Sequence, residues 1–313
     1  MVEKKKSGYW LTHLGLILGV LFIFFPVWLT FVASTVTQDE IIYPPLPMLP
    51  GTEFFENYAN ALFRGSPEGY GAKVPVIKMM MNSAIMAIGI TVGKIIISLL
   101  SAFAFVYFRF PFRNLCFWLI FITLMLPLEV RIVPTYEVAS NALLPFQMIL
   151  ESLYLTDLVF WLIGIEIDLQ WNLLDTYWGL TLPLFASATA TFLFRQFFLS
   201  IPEELAEAAK MDGSGPLRFF FDMVLPLSKT NIAALSVIMF VFGWNQYLWP
   251  LLITTDPDMR TLVMGLENLM PTEDELPEWN VAMAGTLLVM LPPVFVVMVL
   301  QNHFVKGLLG GDK

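Results

Sequence analysis

A few polar residues sit inside otherwise apolar runs, and these are the positions where chemistry could occur. Lys94 lies near the middle of one such run. A cation at bilayer depth costs about 2.5–3.5 kcal/mol on insertion scales unless it faces protein, another chain or a watery path. Two readings stay open: Lys94 touches an anionic substrate in a translocation path, or it pairs with a neighbouring chain or snorkels. Arg131, close to Glu129, could extend such a path, and an interfacial ion pair would also account for both. Further on, Trp244-Asn245-Gln246-Tyr247-Leu248-Trp249-Pro250 sets two amides among aromatic rings. Lipid cannot satisfy an amide, so Asn245 and Gln246 are expected to face protein or the path. Amides beside rings suit a polyol site; the alternative is an aromatic belt at the outer interface, with Pro250 as a local break.

No catalytic constellation accompanies these residues. His13 and His303 lie at opposite ends of the chain near membrane boundaries, where anchoring suits them better than metal binding. Cys116 is the single cysteine, so no internal disulfide can form. Gly93-Lys94 lacks the surrounding glycines and the hydroxyl of a phosphate loop. The chain is therefore read as a non-enzyme with no metal or cofactor of its own, and any ATP must be used by another chain.

The elements that must hold these residues follow from composition. The 313 residues are 57% hydrophobic and 14% charged, with 28 Phe and 9 Trp. Several apolar runs exceed the roughly 18–20 residues that mark a spanning helix. The expected fold is all-α, a polytopic membrane protein with six transmembrane helices. The spans are expected at about 11–34, 79–107, 115–133, 177–197, 232–253 and 281–300. The first is a retained span, because its apolar run is too long for a cleaved signal and its end, VASTVTQ, lacks a clear A-x-A cleavage pattern.

Sorting the cations gives the orientation. With the N-terminus inside, Lys4, Lys5, Lys6, Arg109, Arg113, Arg195, Lys210, Arg218, Lys229, Lys306 and Lys313 lie in the cytoplasm. Arg64, Lys73, Lys78, Arg131 and Arg260 lie outside, and the asymmetry favours N-in and C-in. The net charge of −9 excludes nucleic acid as a partner and comes largely from the outer side, including Glu273-Asp274-Glu275. Residues 1–78 then hold the first span and an extracytoplasmic loop, 79–305 a transmembrane core, and 306–313 a cytoplasmic tail.

Two segments of the core are not spans. Residues from about 141 to 172 contain only a short apolar centre interrupted by Glu151, Asp157, Glu166 and Asp168. A span here would also reverse the side of everything after it. An outer-face insertion is expected, with one amphipathic helix on the bilayer around Phe146 to Ile163 and an extended piece over 165–172. Residues from about 200 to 231 form a charged island: SIPEELAEAAKMDGSGPLRFFFDMVLPLSKTN. Ser200 and Glu203 form a capping-box pattern with Pro202 in the first turn, predicting a helix from about Ile201 to Met211. Asp212-Gly213 should end it, since glycine adopts the left-handed conformation. Pro216 should open a second helical piece, and Leu225-Pro226 lead into the next span.

The order Glu207-Ala208-Ala209, Asp212-Gly213, Leu225-Pro226 between spans resembles the EAA loop of type I ABC importer permeases of the sugar type. The resemblance covers most of the chain except the 141–172 insertion, a departure from the family pattern. Three runs, MLPLEVRIVPTYEV, SATATFLFRQFF and LPLSKTNIAALSVIMFVFGWNQYLWPLL, are most similar to its glycerol-3-phosphate subgroup. The resemblance implies a bacterial inner-membrane subunit working with a second permease, an ATPase dimer and an extracytoplasmic solute-binding protein, in contact with membrane lipid. It implies that Glu207, Ala208, Ala209, Asp212, Gly213 and Pro226 shape the element that couples to the ATPase. Its implied substrate is sn-glycerol-3-phosphate or a related diester, with a maltodextrin-like sugar or polyol as the alternative. An ATP-independent channel or transporter is the more distant one.

Overall fold

The first long apolar run forms a single helix, α1 (Tyr9–Ala33), in a computed structural model that describes residues 9–64, 75–123, 128–164, 170–266 and 278–309. The later helices are α2 (Val76–Tyr107), α3 (Arg113–Ile122), α4 (Leu128–Ser140), α5 (Leu144–Ser152) and α6 (Leu155–Ile163). They are followed by α7 (Tyr177–Thr181), α8 (Ala188–Leu199), α9 (Glu203–Met211), α10 (Lys229–Trp244), α11 (Leu248–Ile253) and α12 (Trp279–Leu309). Shorter helical turns connect some of them, and no strand occurs among the described residues.

Contacts divide the chain into two units, Met1–Met79 with Gly265–Leu291, and Met80–Met264 with Pro292–Lys313. In the first unit, Trp10 to Phe25 of α1 are exposed all round the helix, the pattern of a helix solvated by lipid. Its end is fastened by polar side chains. Buried Asn57 donates to the carbonyls of Ser34 and Val36 at 3.1 and 3.0 Å, and Asn280 donates to Asn57 Oδ1 at 2.8 Å. These bonds satisfy an amide that would otherwise be costly to bury.

In the second unit, two apolar cores, the first rich in aromatic rings, are built from distant stretches. One joins Phe103, Phe194, Phe198, Phe219, Phe220 and Val224; the other joins Met86, Ile90, Leu180, Leu184, Trp249 and Ile253. Between apolar helices in lipid the attraction is van der Waals packing, which rewards close approach. Gly243 shows this: a Cβ there would lie 2.9 Å from Ala87 Cα, so α10 and α2 touch backbone to backbone. Asn82, fully buried in α2, donates to the carbonyls of Asp258 and Arg260 and accepts from the Tyr177 hydroxyl at 2.8 Å. Ser83 accepts from Leu262 N–H at 2.8 Å, so α2 carries the polar seat of the loop after α11.

Asp175 clasps the same loop, accepting from the Thr255 and Asp256 N–H groups and the Thr255 hydroxyl. Partial burial raises its pKa, but those three donors outweigh it and hold the carboxyl below its ordinary value of 3.8. The stabilisation is therefore fully present above that value and is lost as pH falls below it.

Several expected spans are not single straight helices. Among the described residues three helices, Trp10–Ala33, Val76–Tyr107 and Trp279–Gln301, are long and apolar enough to cross a membrane; two bent pairs would raise that to five. The fourth expected span is Tyr177–Leu184 and Ala188–Leu199, bent by 50°. Pro183 removes an N–H at the bend, and Ser187 caps the second piece by accepting from Ala190 N–H. The fifth ends at Trp244 and resumes as α11, because the ring of Pro250 clashes with a helical carbonyl four residues earlier, at Gln246. The third comprises α3 and the start of α4, with residues 124–127 outside the described residues. Lys4, Lys5, Lys6 and Glu273-Asp274-Glu275 also lie outside the described residues, as does the side chain of His303.

The insertion holds two helices, α5 and α6, where one was expected. Tyr154 breaks them with a left-handed φ of 54°, although no glycine or proline marks the place. Gly164, φ 74°, ends α6; residues 165–169 of the expected extended piece lie outside the described residues. The two ends of the excursion meet. Ala142 N–H donates to the Trp171 carbonyl at 2.8 Å and Leu173 N–H to the Ala139 carbonyl at 2.9 Å. Asn141 Oδ1 accepts from both Leu143 and Trp171 N–H groups. Replacing residues 144–169 by two glycines should therefore leave the rest folded. The deletion variant is expected to insert and to elute as a single species in size-exclusion chromatography; aggregation would show that the insertion is structural.

Candidate coupling element and translocation path

The charged island folds as expected in its middle and differently at its start. Helix α9 begins at Glu203, with Pro202 as the N-cap and no side-chain cap. The Ser200 hydroxyl instead donates to the Phe197 carbonyl at 2.6 Å, closing the previous helix, so the capping box is not formed. Proline's fixed φ suits the entry to a helix. Glu203 and Glu204 then lie at the positive end of the helix dipole and Lys210 at the negative end.

The exit matches the expectation. Ser214 N–H donates to the Ala209 carbonyl at 2.9 Å and Gly213 N–H to Lys210 at 3.0 Å, with Gly213 at φ 71°. This paired closure needs a left-handed residue, which costs an L side chain about 1–2 kcal/mol. Pro216 opens the next helical piece after Gly215. A wide turn, Phe220–Val224, precedes Pro226, where Leu225 N–H reaches back to the Phe220 carbonyl. Proline cannot continue the ordinary ladder, and the extra residue relieves its clash. Past Ser228 the chain bends by 71° into α10.

Burial distinguishes the faces of the island. Ala209 packs into the core with Phe103, Phe219 and Phe220, so α9 is held against the body of the unit by a small side chain. Glu207, Asp212, Gly213 and Pro226 are exposed, and Ala208 is half-buried. Exposed apolar side chains ring them: Met211 at 83%, Leu217 at 70% and Phe221 at 58%.

Two of the candidate path residues, Lys94 and Gln246, meet Phe242, which the sequence did not single out. Lys94, only 6% exposed, places its Nζ 3.7 Å from the centre of the Phe242 ring. Among the described residues it has no carboxylate partner, and the charge that acts on it is another cation, Arg131. Gln246 donates to the Phe242 carbonyl at 3.1 Å, and Asn245 caps the end of α10 with its side chain exposed. A desolvated cation over a ring gains about 2 kcal/mol, less than a buried counter-ion supplies. Lys94 thus retains unmet capacity for an anion. Arg131 lines a separate cavity of about 490 Å³ with Thr135, Trp171, Leu182 and Pro183. The side chain of Glu129 lies outside the described residues.

Trp244 does not join this group. It is 1% exposed and stacks on Phe240 at 5.8 Å, and Trp249 is fully buried with its indole N–H on the Gly179 carbonyl. Neither ring is available to a lipid interface. No signal in the sequence marks Phe242, one of 28 phenylalanines in an apolar run.

Residues 67–310 match the family described as binding-protein-dependent transport system inner membrane component. The chain belongs to this family. Full-length relatives include the sn-glycerol-3-phosphate transport system permease protein UgpE of Rhizobium meliloti strain 1021, 50% identical, and that of Brucella melitensis biotype 1, 49% identical. The protein of the same name from Escherichia coli O1:K1 / APEC is 50% identical; in each case both chains are covered completely. A solved bacterial ABC transporter involved in the import of the acidic polysaccharide alginate shares the fold. Its TM-score is 0.68 at 19% identity, covering 97% of this chain and 100% of that one. Family membership makes this chain a membrane component of a transport system and accounts for its apolar helices.

Proposed function

We propose that the chain is a permease subunit of an ATP-driven ABC importer for sn-glycerol-3-phosphate. What carries this reading is full-length identity of 47–50% to permeases named for that substrate. Its partners are a second permease that completes the path, an ATPase dimer, an extracytoplasmic solute-binding protein and surrounding lipid. Three long helices, the bent pair from Tyr177 to Leu199, α10 with α11, and the α3–α4 segment together make six spans, with both termini in the cytoplasm. The charge asymmetry of the loops supports that orientation.

In this reading α9 is the coupling element. Its Glu207-Ala208 face and Asp212-Gly213 turn, ringed by Met211 and Leu217, enter a groove of the ATPase, while Ala209 ties it to the aromatic core. Movement imposed on α9 then reaches α2 and α8 through Phe103, Phe194 and Phe198. Lys94, with Gln246 and Asn245 beyond Phe242 and Arg131 nearby, supplies positive charge and amides along the path of a phosphate ester of a polyol. Trp244 supports that wall from behind.

The test is uptake by proteoliposomes holding the whole assembly with its binding protein. Internal ATP should drive accumulation of labelled sn-glycerol-3-phosphate, and excess maltose should not compete. Accumulation without ATP, or uptake of sugar in place of the phosphate ester, overturns the reading.

A further inference from the structure

The turn between α2 and α3 has features that neither transport nor coupling uses. Arg109, Phe110, Phe112, Arg113, Asn114 and Leu115 surround one cavity of about 410 Å³. Arg113 donates to the Phe108 carbonyl at 3.3 Å, which holds one guanidinium at the cavity wall. Among the described residues neither arginine is paired with a carboxylate. Phe112 is 75% exposed and stands at φ 59°, a left-handed conformation that a bulky side chain adopts only against steric cost. Such outliers persist where the surroundings hold them and cluster at ligand clamps. Leu115 is 55% exposed and Phe110 38% exposed beside them.

We propose that this turn is a binding site for the phosphate headgroup of an anionic phospholipid. It lies directly after a helix long and apolar enough to span, so it sits at headgroup depth. Two guanidiniums facing one cavity can each donate paired N–H groups to phosphate oxygens. The exposed rings and Leu115 then lie along the glycerol and first acyl carbons, surface that a free soluble anion would leave uncovered. The preference for cations on the cytoplasmic side accounts for positive charge in this turn, but not for both arginines sharing a cavity rimmed with exposed aromatics.

Native mass spectrometry of the full chain, released from micelles holding equal phosphatidylglycerol and diacylglycerol, which lacks the phosphate, tests the site. The wild type should retain phosphatidylglycerol about tenfold over diacylglycerol, the scale of one charge-assisted hydrogen bond. The pair Arg109→Gln with Arg113→Gln should lose that preference. Arg109→Lys with Arg113→Lys keeps the charge that orients the turn, so it should insert normally yet lose most of the preference, since ammonium cannot bind in the paired mode. Full retention by the lysine pair would assign the attraction to diffuse charge and overturn the site. Displacement of the lipid from the wild type by excess inorganic phosphate would make it a soluble-anion site and overturn it equally.

Discussion

Exchanging Lys94 for methionine is expected to cut sn-glycerol-3-phosphate uptake by at least ~30-fold, because losing one partner of a buried charged contact costs about 2–5 kcal/mol. Methionine keeps the length and apolar bulk of the side chain, so packing against Phe242 survives. Insertion should be as good or better, since a cation in a span is itself unfavourable. The binding protein still captures substrate outside, so its affinity is unchanged and the defect appears in translocation. Uptake equal to wild type would remove Lys94 from the path and leave it as a cation stabilised by the Phe242 ring alone.

Exchanging Gly213 for valine should uncouple transport, leaving the subunit inserted and the assembly able to hydrolyse ATP. No atom lies within 4 Å of the position a Cβ would take, so crowding within this chain is not the cause. The left-handed φ of 71° is the cause. A residue branched at Cβ resists it by more than the 1–2 kcal/mol typical of L residues, so the paired closure opens and Pro216 leaves in a new direction. Uptake per ATP hydrolysed should fall by about tenfold or more. Gly213→Asn is the control, since asparagine tolerates this conformation, and it should keep most of the coupling. Equal coupling in the valine variant would separate the turn from energy transfer.

Much of the charged island at 200–231 was legible because its determinants are local. Asp212-Gly213 ends α9 and Pro216 starts the next piece by backbone rules acting within a few residues. The start of α9 was misread, although its pattern was also local. Ser200 had two acceptable partners, and the carbonyl of Phe197 in the preceding helix won over the N–H groups ahead. The bends at Pro183 and Pro226 had visible causes, but a continuous apolar run masks how sharply each piece turns.

By itself the sequence determined the solvent of the fold, the long apolar helices and the turn that closes α9, since length, polarity and glycine geometry act along the chain. Only the tertiary structure decided which side chains meet. Lys94 and Phe242 lie on helices far apart in the chain, and packing alone brings the ring to 3.7 Å from the ammonium. The same holds for Trp244, which the sequence placed beside two amides and the structure buries against Phe240. A helix exposes several faces to similar apolar neighbours, and composition does not say which face turns inward.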